Sequence, residues 1–161
     1  MPSFDIVSRL DLNEVDNALA GVRREVAQRF DFKDSHCTIE RADNTITIVA
    51  DDDMKLRQMQ ELLRGYLARR KVDHHAFAFG EPEKAAQNRL RQTVTARQGI
   101  DRDMAKTIVQ ALKGTKLKIQ VAVQGDELRV SGKKIDVLQS AIAHVKGLGI
   151  DQPLQYVNFR D

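Results

Sequence analysis

Twice along this chain the hydrophobic period changes in the same order. A two-residue alternation gives way to a 3.6-residue recurrence, then to a hairpin of two alternating runs, then to a second helical period and a last alternating run. Few folds accept that order. Strand, helix, hairpin, helix, strand with ordinary loop lengths is the βαββαβ unit of the ferredoxin-like sandwich, a four-stranded antiparallel sheet with two helices on one face. The expected class is α+β with two such sandwiches in tandem. Residues 1–80 form the first unit, 81–88 a linker and 89–161 the second.

In the first unit, Ser3 to Ser8 reads as a strand with Phe4 and Ile6 on one face. Asp11 is placed to cap a helix in which Leu12, Val15, Leu19, Val22 and Val26 recur toward Phe30. His36 to Arg41 and Thr45 to Ala50 make a hairpin around Ala42-Asp43-Asn44. Asp51-Asp52-Asp53 opens a helix through Leu56, Met59, Leu63 and Leu67, and Val72 to Phe79 is the closing strand. Gly80 to Asn88 is polar, carries Gly and Pro, and reads as the linker. In the second unit, Arg89 to Gln98 is a strand with Arg89, Arg91, Thr93, Thr95 and Arg97 on one side. Asp101 caps a helix through Ile108, Val109 and Leu112; a hairpin over 116–131 follows, then a helix marked by Ile135, Leu138, Ile142 and Val145, and a strand from Leu154 to Phe159.

The second hairpin is where charge collects. From Lys116 to Gln124, Leu117, Ile119, Val121 and Val123 alternate with Lys116, Lys118, Gln120, Ala122 and Gln124, so one face is core and the other basic. Gly125-Asp126 turns the chain, and the return strand sends Leu128 and Val130 inward and Arg129 outward, onto the surface that carries Lys118 and Gln120. Gly132-Lys133-Lys134 follows, between strand and helix, where free amides attract anions. Lys116, Lys118, Gln120, Arg129 and Lys133 are therefore the residues of a candidate anion site. The lysines and Arg129 would contact phosphates.

Charge along the chain points the same way. Residues 1–83 hold 12 Lys and Arg against 16 Asp and Glu, whereas residues 84–161 hold 14 against 7. A basic second half favours a polyanionic partner. RNA-recognition domains share this topology but stack bases on aromatics of their central strands, and neither Thr45 to Ala50 nor Glu127 to Ser131 carries one.

Other motifs fall short of chemistry. A phosphate loop needs G-x-x-x-x-G-K-[ST], but Gly125 lies seven residues before Gly132 and Lys134 replaces the hydroxyl that would hold magnesium. His74 and His75 would point to opposite faces of a strand, so no metal site is expected. Cys37, the one cysteine, falls on the apolar phase of a strand and reads as structural. No nucleophile and base can be paired from spacing, and no enzyme activity or cofactor is expected. No apolar run approaches the ~20 residues of a membrane span, and the first ten residues do not resemble a secretion signal, so a cytoplasmic location is expected.

Several segments together, MPSFDIVS at the start, RFDFK at 29–33, KLKIQ at 116–120, GDELRVSGK at 125–133 and NFRD at the end, resemble the YajQ-like family of bacterial nucleotide-binding proteins over nearly the whole chain. The resemblance implies two ferredoxin-like domains that exchange first strands. Ser3 to Ser8 would then join the second sheet and Arg89 to Gln98 the first, with boundaries at 10–98 and at 1–9 plus 99–161. It also implies binding of nucleotides or RNA, and in some members of cyclic di-GMP coupled to transcription control, without established catalysis. The expected function is thus non-enzymatic nucleotide binding, and the resemblance makes Lys116, Lys118, Gln120, Arg129 and Lys133 the candidate nucleotide-binding residues, with Gln120 bonding a base or ribose. Cyclic di-GMP acting on gene regulation, with a transcription regulator as partner, is the first reading; GTP fits the same chemistry. RNA held through a basic sheet face and a protein-interaction adaptor are the alternatives.

Overall fold

The computed structural model describes all residues, Met1–Asp161. In chain order its elements are β1 (Ser3–Val7), α1 (Leu12–Gln28), β2 (Thr38–Ala42), β3 (Thr45–Ala50), α2 (Asp53–Arg69), β4 (Phe77–Phe79), β5 (Glu83–Lys84), β6 (Leu90–Ala96), α3 (Arg102–Gly114), β7 (Ile119–Gln124), β8 (Glu127–Gly132), α4 (Ile135–Lys146) and β9 (Gln155–Arg160). Two antiparallel sheets result, β7-β8-β1-β9 and β2-β3-β6-β4, with β5 paired to β6. Together with the four helices they make a tandem ferredoxin-like α+β arrangement.

The division 1–80 and 89–161 is not the one that strand pairing makes. β1 lies between β8 and β9, with Phe4 opposite Val130 and Asp5 opposite Arg129, while β6 lies between β3 and β4. One compact unit comprises Met1–Arg9 and Gln98–Asp161, and the other is the continuous segment Leu10–Arg97. The reason is burial. Phe4 and Ile6 are fully covered by Ile108, Leu112, Leu128, Val130 and their neighbours, which their own half of the sequence does not supply. Val94 and Ala96 of β6 pack in turn with Ile46, Ile48, Met59 and Leu63.

Regrouping the residues also changes the charge balance. The 10–97 unit carries 15 basic and 15 acidic residues, and the other unit 11 and 8. The asymmetry read along the chain therefore shrinks, because Lys84, Arg89, Arg91 and Arg97 belong with residues 10–83, which hold 11 basic and 15 acidic residues.

Helix starts follow the sequence closely. Asp11 accepts from the amides of Asn13 and Glu14, Asp52 from Lys55, and Asp101 from Met104, each supplying a side-chain cap. Two expected strands are markedly shorter. Val72 to Phe79 keeps only Phe77–Phe79, because the Asp73 side chain caps a 3-10 turn at His74–Ala76. The second hairpin starts at Ile119 and not at Lys116, whose φ of +60° cannot continue a strand. The expected linker contains β5, which folds back on β6 through Gln87 and Asn88 at φ of +59° and +61°.

Two helices of the 10–97 unit meet at Gly21. A Cβ built there would lie 2.4 Å from a ring carbon of Tyr66, whose hydroxyl is held by Glu25 at 2.8 Å. Gly21→Ala is expected to lower stability by about 1–2 kcal/mol, because displacing the pinned ring outweighs the ~1 kcal/mol of helix propensity gained. Urea denaturation followed by far-ultraviolet dichroism reads it.

The chain passes between units at residues 9–10 and 97–98, and within the 1–9 and 98–161 unit a short network ties Ser8 to Gly99. Gly99 N donates to Ser8 O at 2.7 Å, and Gln152 Nε2 donates to Ser8 Oγ at 2.7 Å and to Gly99 O at 2.8 Å. Ser8 Oγ completes it by donating to Pro153 O at 2.8 Å. Gly99, at φ of +83°, makes the turn.

Candidate nucleotide-binding cleft

Between the segment that leads into β7 and the first turn of α4 lies a cleft of about 640 Å³. Lys116, Lys118, Gln120, Lys133 and Lys134 line it, together with Met1, Leu117, Ile119 and Val137. No carboxylate does. The left-handed turn at Lys116 brings its side chain to the mouth, and alternation from there sends Lys118 and Gln120 outward, all three exposed. Gly132, opposite Ile119, ends β8 within reach of the same strand, so Lys133 and Lys134 emerge beside it.

The start of α4 adds a second source of positive potential. Its cap position is Lys134, which makes no side-chain cap bond, whereas α1, α2 and α3 each spend an aspartate there. The first amides of α4 thus keep their donors at a cleft already rich in ammonium groups. A volume in the ~300–1,000 Å³ range of ligand sites, an apolar floor and four cations at the rim suit a molecule with a flat apolar part and phosphates.

Arg129 is placed differently. It shares the open sheet face with Gln120, but it stands opposite Ala122 and does not line the cleft. Its Nε is 3.1 Å from Oδ1 of Asp5, which is buried on the neighbouring strand. Arg160 Nη2 lies 3.0 Å from the other carboxylate oxygen, and Asn158 Nδ2 donates to it at 2.8 Å. An irregularity in the β1–β9 register, with Asn158 at φ of +57°, accompanies this convergence. Asp5 is held down to a pKa of about 2, first by the bonds from Arg160, then by Asn158 and Arg129, against the opposing cost of burial.

Four of the five expected site residues, Lys116, Lys118, Gln120 and Lys133, therefore surround one cleft, and Arg129 sits in an ion cluster beside it. Sequence reasoning saw Lys134 beside Lys133 at the helix start but did not count it among the five candidates, and it did not find the Asp5 cluster. Lys134 was legible from its neighbour Lys133; the cluster was not, since Asp5 and Arg160 are separated by nearly the whole chain. Val123, expected inward, is 59% exposed because β7 is an edge strand at its far end.

His74 and His75 do not diverge as strand neighbours would. In their turn the rings stack with centroids 4.3 Å apart, and with Asp73 they place ligand atoms within 4.8 Å of one another. Asp73 Oδ1 is already engaged, accepting from the backbone N of His75 at 2.9 Å and lying 2.8 Å from its ring nitrogen. The open faces of the central strands carry no aromatic side chain: threonines pair across β3 and β6, and Ser3, Asp5 and Arg129 occupy β1 and β8. No helix is long and apolar enough to cross a membrane.

Two ferredoxin-like units, one bearing a lysine-rimmed cleft at a helix start, define an α+β protein equipped to hold a phosphorylated ligand. Residues 2–160 match the model of the YajQ-like nucleotide-binding protein family, and the chain belongs to that family. It is 62% identical over 161 residues to a nucleotide-binding protein of Parvibaculum lavamentivorans, with all of both chains covered. Over the same full coverage it is 60% identical to one of Rhodospirillum centenum and 59% identical to one of Paramagnetospirillum magneticum.

Proposed function

We propose that the cleft of Lys116, Lys118, Gln120, Lys133 and Lys134 is the nucleotide site, that cyclic di-GMP occupies it, and that the protein is a cytoplasmic, non-catalytic effector acting on a transcription regulator. The observation that carries the site is the convergence of four lysines, from the segments that lead into β7 and α4, on one cleft whose lining contains no acid. Phosphates would lie against the ammonium groups and the first amides of α4, and a guanine would rest on Leu117, Ile119 and Val137. The choice of cyclic di-GMP follows the resemblance noted above. A compact site also suits a two-phosphate ligand better than a long RNA, whose backbone calls for a stripe of charge. No side chain near the cleft is arranged as nucleophile and base, which favours binding without turnover.

Calorimetry with cyclic di-GMP, GTP, ATP and a short RNA tests the reading. Replacing Lys116 and Lys133 together by Ala should weaken the preferred ligand about tenfold or more, since each charge-assisted bond contributes ~1–3 kcal/mol. Arg57→Ala, an exposed position on α2, is the control. Unchanged affinity in the folded double variant would remove the site from this cleft. A steep salt dependence with RNA as the tightest ligand would favour RNA binding, and no nucleotide binding at all would favour the adaptor. Should Arg129→Ala weaken binding as much as the lysine pair, the ligand extends across the sheet face.

A further inference from the structure

β7 is an edge of its sheet, and it lacks every device by which natural edges are protected. Its six residues, Ile119 to Gln124, contain no charge and no proline, and they pair with β8 without a bulge. Gln120, Ala122, Val123 and Gln124 are exposed in the full chain, Val123 to 59%. The sequence of this edge is also a palindrome, Gln-Val-Ala-Val-Gln, centred on Ala122.

A strand that reads the same in both directions is its own antiparallel complement. We infer that β7 is a self-recognition edge, which pairs with β7 of a second copy of this chain about a twofold axis through Ala122. The pairing sets Gln120 opposite the partner's Gln124, Val121 opposite the partner's Val123, and the two Ala122 side chains against each other. Identical patches related by a twofold axis make the self-complementary contact that closes a dimer.

The backbone supports this register. Across the two-residue turn, Gln124 and Glu127 face each other as the first pair of the ladder. Hydrogen-bonded pairs alternate in an antiparallel ladder, so Ala122 and Gln120 also direct their backbone groups at β8, and Val121 and Val123 direct theirs outward. Ile119, in the same outward phase, gives its N–H to Leu117 O at 2.9 Å and not to β8. About an axis at Ala122, the outward groups of Val121 meet those of the partner's Val123, so four free donors and acceptors on each copy find partners.

Charge and shape agree with it. Two residues beyond the palindrome on either side stand Lys118 and Asp126, both exposed. The same axis brings Lys118 level with the partner's Asp126, twice by symmetry, so the charges that flank the paired edge on its own strand are opposite in sign. On the helix side, Val123 borders a groove of about 650 Å³ that it shares with Ile100, Ala105 and Val109. The partner's valines would extend its apolar wall.

Cysteine cross-linking reads the register directly. In a background of Cys37→Ser, Ala122→Cys should give a disulfide-linked dimer on mild oxidation, because its two copies face each other across the axis in a non-hydrogen-bonded pair. Gln124→Cys, equally exposed but facing the partner's Gln120, should stay largely uncross-linked. In sedimentation velocity the unmodified protein should shift toward dimer with rising concentration. Ala122→Lys and Val123→Lys, both on exposed positions outside the lysine cleft, should raise the dissociation constant by at least about tenfold, with thermal melts showing the fold intact. Three outcomes would overturn the inference: a monomer at all concentrations, equal cross-linking at 122 and 124, or a dimer indifferent to both lysines.

Discussion

Removal of residues 1–9 is expected to strip amide protection from residues 98–161 while residues 10–97 stay protected. β1 is an inner strand of the sheet it joins, so its loss orphans the facing edges of β8 and β9 together. It also withdraws Phe4, Ile6 and Val7, each fully buried. At ~1.5–3 kcal/mol for each side chain, that is about 5–9 kcal/mol of apolar burial, comparable with the ~5–15 kcal/mol by which a whole domain is stable. The 10–97 segment loses none of its own strands. Hydrogen exchange with fragment-level resolution separates the two, and damage confined to residues 10–97 is the result this pairing forbids.

Asp5→Ala should lower stability at neutral pH by about 2–3 kcal/mol. The carboxylate is buried, and its loss leaves Arg129 and Arg160 side by side without a counter-ion. Both guanidinium groups keep about two-fifths of their side-chain surface in water, at 38% and 42%, which holds the cost below that of a fully buried pair. Acid has the same effect on the native protein. Asp5 titrates near pH 2 when folded against an ordinary 3.8, so its contribution is complete above about pH 4 and fades as pH falls toward 2. That difference corresponds to about 2 kcal/mol. Urea midpoints at pH 7 and pH 2.5 should therefore differ less in Asp5→Asn than in the unmodified protein. An unchanged acid slope would show that other carboxylates govern it.

The parts of this fold that were legible are those set by neighbours in sequence. Asp11, Asp52 and Asp101 cap helices because a cap bond spans two or three residues, and the second hairpin closes at Gly125-Asp126 because its turn is local. Four cleft residues could be named because they lie within eighteen positions of one another. What alternation misjudged was where strands stop: Lys116 continues the pattern perfectly but turns left-handed, and Asp73 competes for the backbone with its own side chain. Which sheet a strand joins is not written in its own pattern. Ser3 to Val7 and Leu90 to Ala96 alternate equally well for either partner, and only the resemblance implied the exchange. Arg129 was seen on the right face, but the carboxylate that claims it lies 124 positions earlier.

The position of β1 has a consequence for how the protein is made. Synthesis releases Phe4, Ile6 and Val7 first, yet both strands that shelter them, β8 and β9, come from the far end of the chain. At ~5–20 residues per second, the wait is on the order of ten seconds. During it the ribosome also releases residues 10–97, which carry every strand of their own sheet and can fold while the chain is still growing. The nascent protein thus passes through a stage in which residues 10–97 are folded while residues 3–7 stay sticky and unpaired. Those five residues, and not the larger body that follows them, are the segment a holding chaperone would be expected to grasp.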